Sequence, residues 1–235
     1  MTDAFAPLFE AIHEPGTPPD RPRITLSYAQ SVDGSLALVR EEALNLSSPE
    51  AWEMTHRLRA AHDGILVGIG TVLADDPELT VRLAPGPQPQ PIVLDTHLRM
   101  PLDAACLRHP NRVWIATSVP KSNSRSAALD SAEIITLPTD VNGRVHLAAL
   151  LKQLTVRGVR TLMVEGGPET IASFLRQRAA DLLVVTIAPT LIQGLTLPRN
   201  ASAIRSASGP RLEQPTWIQA GPDMVLWSRL AWEAQ

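Results

Sequence analysis

Two stretches of the chain hold residue types and spacings that could do chemistry. The first is His62-Asp-Gly-Ile-Leu-Val-Gly-Ile-Gly-Thr-Val-Leu-Ala-Asp-Asp-Pro77. An apolar run ends at Gly68 and Gly70, Thr71 follows, and Asp75 and Asp76 close the unit. Glycine at a strand end removes the Cβ that would keep a ligand off the backbone. A hydroxyl and a carboxylate just beyond can grip a polar group. The second stretch is Thr161-Leu-Met-Val-Glu-Gly-Gly-Pro-Glu-Thr170. Here a buried strand ends in Glu165, turns through Gly166 and Gly167, and passes into a helix opened by Pro168 and Glu169. The free N–H groups and dipole of a helix start suit phosphate or pyrophosphate. Both stretches would also serve as plain packing turns with solvated acids. If their strands are parallel, both turns share the carboxyl edge of the sheet, where open α/β folds bind ligands, and a dinucleotide between them fits.

Other chemistries find little support. No third glycine or trailing acid completes a dinucleotide fingerprint after Gly68, and no Walker A loop or Gly-x-Ser-x-Gly elbow exists. The 6 histidines stand at 13, 56, 62, 97, 109 and 146, with no closely spaced pair for a metal. Cys106, the single cysteine, permits no intrachain disulfide and reads as a small core residue in a reducing cytosol. Lys and Arg total 21 against 24 acids, a balance with no pull toward nucleic acid or an anionic membrane. No signal peptide or membrane-spanning run is visible, so a cytoplasmic protein is expected.

The elements that must position these residues follow from pattern. With 235 residues, 44% hydrophobic, one domain is favoured over two. Residues 1–22, rich in proline, read as a flexible lead with one short helix near Ala6–His13. Residues 23–235 read as a single domain. Arg23–Val32 is expected as the first strand, turning at Ser31-Val-Asp-Gly34, with Leu36–Val39 as a short continuation. Ser47 is expected to cap a helix reaching Ala61, with Glu50 completing a capping box. Further strands are expected at Pro91–Asp95, Val113–Thr117, Glu133–Thr136 and Asp181–Ile187, and helices at Lys121–Asp130, Val145–Arg157 and Pro168–Arg178. Residues 200–230 read as several short strands. Strands alternating with helices predict an α/β fold with a mixed, mostly parallel sheet and antiparallel strands at the C-terminal end.

Four motifs in order carry a resemblance. They are Ser27-Tyr-Ala-Gln-Ser-Val-Asp-Gly34, Thr55-His-Arg-Leu-Arg59, the stretch from His62 to Pro77, and Val164-Glu-Gly-Gly-Pro168. Together, over residues 22–230, they resemble the pyrimidine reductases of riboflavin biosynthesis. In bacteria these usually form the C-terminal half of a deaminase–reductase fusion. The first motif and Met54-Thr-His56 look more like the stand-alone archaeal and fungal forms, and no zinc-deaminase signature is present.

The resemblance implies a dihydrofolate-reductase-like fold, helices flanking the sheet, and a homodimer. It implies NADPH-dependent reduction of the ribosyl group of a diamino- or amino-ribosylaminopyrimidinone 5′-phosphate, with hydride reaching the sugar C1′. Thr71 and Asp75 match positions that hold the cofactor, as do Ala29 and Thr117 or Ser118. Gly166, Gly167, Pro168, Glu169 and Thr170 match its pyrophosphate turn. Arg59, Leu79, Arg82 and Glu165 match substrate positions, the arginines suiting the 5′-phosphate. Asp75 and Glu165 are the catalytic candidates. Bacterial fusion enzymes often carry Lys where Ser27 stands and Trp where Asn45 stands. A reductase of another pteridine such as dihydrofolate, and a non-catalytic nucleotide-binding module, are the alternatives.

Overall fold

The run Ile65-Leu66-Val67 is wholly buried, and that burial on both sides places its strand in the middle of a parallel sheet. The computed structural model describes residues 3–16, 19–39, 44–198 and 209–232. Its sheet has nine strands. In chain order these are β1 (Arg23–Ser31), β2 (Gly64–Gly68), β3 (Gln90–Leu94), β4 (Trp114–Thr117), β5 (Glu133–Thr136), β6 (Thr161–Val164), β7 (Leu182–Ala188), β8 (Arg211–Ala220) and β9 (Asp223–Ala231). The spatial order is β5-β4-β3-β2-β6-β1-β7-β9-β8. Every pairing from β5 to β7 is parallel, and β9 and β8 add antiparallel. The expected mixed sheet is therefore present.

Side chains alternate across the pleat, so Leu66 faces one layer while Ile65 and Val67 face the other. On Leu66's side lie helices α5 (Leu147–Val156) and α6 (Pro168–Arg176), whose Leu150, Leu154, Ile171 and Phe174 are fully buried. On the opposite side Val72, from α3 (Ile69–Asp75), packs with Ile65 and Val67. There Leu58, from α2 (Pro49–Ala60), packs with Met163 and Val184. His62 ties α2 to the sheet: Nδ1–H donates to the Leu58 carbonyl at 2.7 Å, and Nε2 accepts from the Thr25 hydroxyl at 2.8 Å. Burial holds this imidazole neutral, with its pKa lowered to about 4.

Several expectations need correction. Helix α1 (Ala6–Ile12) is docked: Leu8, Ala11 and Ile12 are buried in the same cluster as Met54, Leu58 and Leu182, so this part of the expected flexible lead is packed. The N-cap of α2 is Ser48, whose hydroxyl accepts from Ala51 N–H, because Pro49 occupies the first helical position. Leu36–Val39 forms no strand; a single bridge joins Ala37 to Leu195. The helix expected over Lys121–Asp130 is only α4 (Ser124–Ala128), started by the Asn123 side chain. The C-terminal region holds two long strands joined at Gly221, rather than several short ones. The part of that expectation on residues 199–208 lies outside the described residues.

Leu8 is fully buried at the α1–α2 contact. Leu8→Ala is expected to lower the unfolding free energy by about 2–4 kcal/mol in urea titration. A change within about 0.5 kcal/mol, as for surface positions, would show that α1 contributes no packing.

Candidate active site

Strands β2 and β6 are parallel neighbours, so the two glycine turns meet at one sheet edge. Gly68 N–H donates to the Gly166 carbonyl at 3.2 Å, and Glu165 N–H donates to the Leu66 carbonyl at 3.0 Å. The turns also interlock. A Cβ on Gly68 would lie 2.3 Å from Thr170 Oγ1, and one on Gly167 would lie 3.2 Å from Thr71 Oγ1. A side chain at position 68 would force the Thr170 hydroxyl out of its place at the start of α6. Gly166 differs: its φ is +94° and no atom lies within 4 Å of the place a Cβ would take. Helix α6 starts beside this gap without a side-chain cap. Room over Gly166 and an uncapped helix start suit an anionic cofactor group.

The adjacent acids have separate tasks. Asp76 closes α3 in the left-handed region, with φ 40°, and its Oδ1 accepts from Ala105 N–H at 2.7 Å. Asp75 has no hydrogen-bond partner among the described residues. Its side chain reaches solvent, yet the surrounding protein desolvates the carboxyl and raises its pKa. Asp75 follows Thr71 by four residues, so both lie on one side of α3.

Glu165 is not free. Its carboxylate accepts Arg59 Nε–H at 2.6 Å and Nη2–H at 2.7 Å, a bidentate pair in which the two side chains are 4% and 13% exposed. Arg59 Nη1 also donates to the Thr80 carbonyl at 2.9 Å. Burial opposes the Arg59 charge, but the charge and hydrogen bonds of Glu165 outweigh it and raise the guanidinium pKa. Arg59, expected at the substrate phosphate, is engaged here by Glu165 and by the Thr80 carbonyl.

The remaining expected residues divide between the sheet edge and the interior. Ala29 is half-buried on β1, and Ser118 lies just past β4, its hydroxyl donating to the Thr96 carbonyl at 2.8 Å. Thr117 is fully buried and its hydroxyl donates to the same carbonyl at 3.1 Å, so its side chain serves the fold. Glu169 and Pro168 open α6, Glu169 being exposed. Leu79 is 1% exposed within the core cluster of Ile65, Val72 and Met100 with φ +59°, so only its backbone can meet a ligand. Arg82 is half exposed, with weak contacts to Glu78 and Thr80.

His56 was not among the expected residues. It is fully buried, and its Nδ1 accepts Arg82 N–H at 3.0 Å. Burial, then Arg59 and Arg82, lower its pKa to about 4. Sequence gave one hint, its place three residues before Arg59 on α2. Asn45, where an aromatic was missed, accepts from Trp52 Nε1–H at 2.9 Å. Cys106 is buried, and desolvation raises its thiol to about 11, so it is no nucleophile. Among the described residues no group of His, Cys, Asp and Glu could hold a metal, and no helix is long and apolar enough to cross a membrane.

Comparison with known proteins gives the class first. The solved structure of the riboflavin biosynthesis reductase Rib7 of Saccharomyces cerevisiae matches 98% of this chain and 100% of its own, with a TM-score of 0.76 and 28% identity. Acinetobacter baumannii RibD shares the fold, with a TM-score of 0.76 at 23% identity over 92% of this chain and 59% of that one. The chain belongs to the RibD C-terminal domain family, which matches residues 22–226. It is 37% identical to the 2,5-diamino-6-ribosylamino-4(3H)-pyrimidinone 5′-phosphate reductase of Archaeoglobus fulgidus, over 76% of this chain and 85% of that protein. It is 32% identical to the reductase of that name from Debaryomyces hansenii, over 98% of both. It is also 37% identical to the riboflavin biosynthesis protein RibD of Aquifex aeolicus, over 76% of this chain but about half, 49%, of that protein's length.

Removing one partner of a buried ion pair strands the other's charge. Glu165→Gln is expected to cost about 3 kcal/mol of stability, and adding Arg59→Met to recover part of it, in a urea-unfolding double-mutant cycle. Additive losses would show that the two side chains do not act as a pair.

Proposed function

We propose that this chain reduces the ribosyl group of 2,5-diamino-6-ribosylamino-4(3H)-pyrimidinone 5′-phosphate to a ribityl chain, using NADPH. The observation that carries the reading is the joined pair of glycine turns, with an open Gly166, an uncapped α6 and two differently held carboxyls at one sheet edge. Its agreement with relatives named for that reaction supports the substrate. The preference for the diamino compound over its deaminated form rests on those names.

NADPH, when bound, supplies the hydride. Gly166, Gly167 and Thr170, with Pro168 and Glu169 opening the helix, would hold its pyrophosphate. Thr71, Asp75, Ala29 and Ser118 would make further contacts to the cofactor along the same sheet edge. Glu165, held by two hydrogen bonds from Arg59, is placed to accept from a hydroxyl or amino group of the substrate. Asp75, with no side-chain hydrogen-bond partner among the described residues and a pKa raised by desolvation, is the residue that delivers the proton needed when the ribosylamine ring opens. Arg82 is the cation left for the 5′-phosphate.

The test follows NADPH absorbance with the diamino pyrimidine phosphate, its deaminated form and dihydrofolate. Oxidation with dihydrofolate alone, or with none of the three, overturns the reading. Asp75→Asn is expected to lower kcat by about a hundredfold. The donor form is the protonated acid, so wild-type kcat falls as pH rises through the elevated Asp75 pKa, and that limb is absent from the variant.

The same reading includes a homodimer. Among the described residues strand β8 has a partner on one side only, β9, and its ten residues are mostly exposed, with Trp217 55% and Leu212 39% accessible. A long edge strand bearing apolar side chains is a ready surface for a second copy. Trp217→Arg is expected to convert a dimer to a monomer by light scattering; a monomeric wild-type protein would remove the dimer from the reading.

A further inference from the structure

Residues 80–82 lie beside the site and belong to no strand of the sheet. Buried backbone groups need partners, and here side chains provide them. The Thr80 carbonyl accepts Arg59 Nη1–H at 2.9 Å. Val81 N–H donates to Gln88 Oε1 at 2.7 Å, and the Val81 carbonyl accepts Gln88 Nε2–H at 2.8 Å. The Gln88 amide thus repeats with one side chain the two-bond exchange that a neighbouring strand would make. Arg82 N–H donates to His56 Nδ1 at 3.0 Å. His56 and Arg59 are three residues apart on α2, so a single helix face reaches the main chain at two places. Only an imidazole with its proton on Nε2 can accept at Nδ1, and His56 Nε2 is buried with no partner. Among the described residues the ring's one hydrogen bond is the one that holds Arg82.

We propose that His56 and Gln88 are positioning residues for the reduction: with Arg59 they tie residues 80–82 into a strand-like segment, and so fix where Arg82 meets the phosphate of the substrate. The proposal rests on the reading of this site as a pyrimidine-phosphate reductase. Neither residue touches the cofactor side, which lies at Gly166 and Thr71. Their loss should therefore weaken one ligand and spare the other. A residue that only stabilises the fold would affect both alike.

Steady-state kinetics with the diamino pyrimidine phosphate and NADPH test this, alongside the thermal midpoint of each variant. His56→Leu, which has no acceptor, is expected to raise KM for the pyrimidine phosphate about tenfold, the effect of one lost hydrogen bond. KM for NADPH should stay within about twofold. His56→Asn, whose side-chain oxygen can take the place of Nδ1, should recover most of the loss. Gln88→Met, of similar length without donor or acceptor, should show the same split, and it keeps the test open if His56→Leu does not fold. Equal rises in both KM values, or no rise in either, overturn the proposal while leaving the reductase reading intact. Failure of the wild-type protein to oxidise NADPH with the pyrimidine phosphate overturns both.

Discussion

The buried ion pair between Arg59 and Glu165 is the interaction on which the site depends. It joins the last turn of α2, the end of β6 and the main chain at Thr80, three segments far apart in sequence. Desolvating a guanidinium and a carboxylate is costly, and only a bidentate geometry with the remaining donors engaged offsets it. The pair is consequently weak evidence for stability and stronger evidence for position. It holds Glu165 at a fixed place, whereas the Asp75 carboxyl has no such partner among the described residues and is desolvated by the surrounding protein. Two acids that look alike in the sequence thus stand in different surroundings, one paired with Arg59 and the other desolvated without a hydrogen-bond partner among the described residues.

The glycine turns set the other constraint. Gly68 and Gly167 are small because two helix starts press against each other there, whereas Gly166 faces open space. The same residue type therefore serves close packing at two positions and leaves open space at a third. The junction lies where the neighbouring parallel strands β2 and β6 end and α3 and α6 depart toward opposite faces of the sheet.

The alternation of apolar runs with capped helices made the α/β class and most elements legible, since pattern and propensity act locally. The motifs made the reductase family legible too. The pairing of Arg59 with Glu165 was not, because it depends on which strands lie side by side, and residues more than a hundred positions apart carry no mark of their contact. Leu79 and Thr117 lie near the expected edge, yet their side chains turn into the core, a matter of backbone direction that residue type does not encode. Ser48 displaced Ser47 as a cap through the position of Pro49, which the sequence contained and a stricter reading of proline geometry would have found. Gln88 sits in a loop of prolines and glycines, where nothing local marks it as the partner of Val81.

The segment from Thr80 to Arg82 has an evolutionary side. A strand in a ladder is locked in register by its neighbour's backbone, and shifting it by one residue inverts every side chain. A segment held by three side chains has no such lock. Substitutions at positions equivalent to His56 or Gln88 could slide or tilt it while the nine-stranded sheet stays as it is. Within one scaffold, this is a place where descent could retune the reach of an arginine toward differently sized phosphorylated substrates without rebuilding the cofactor cleft.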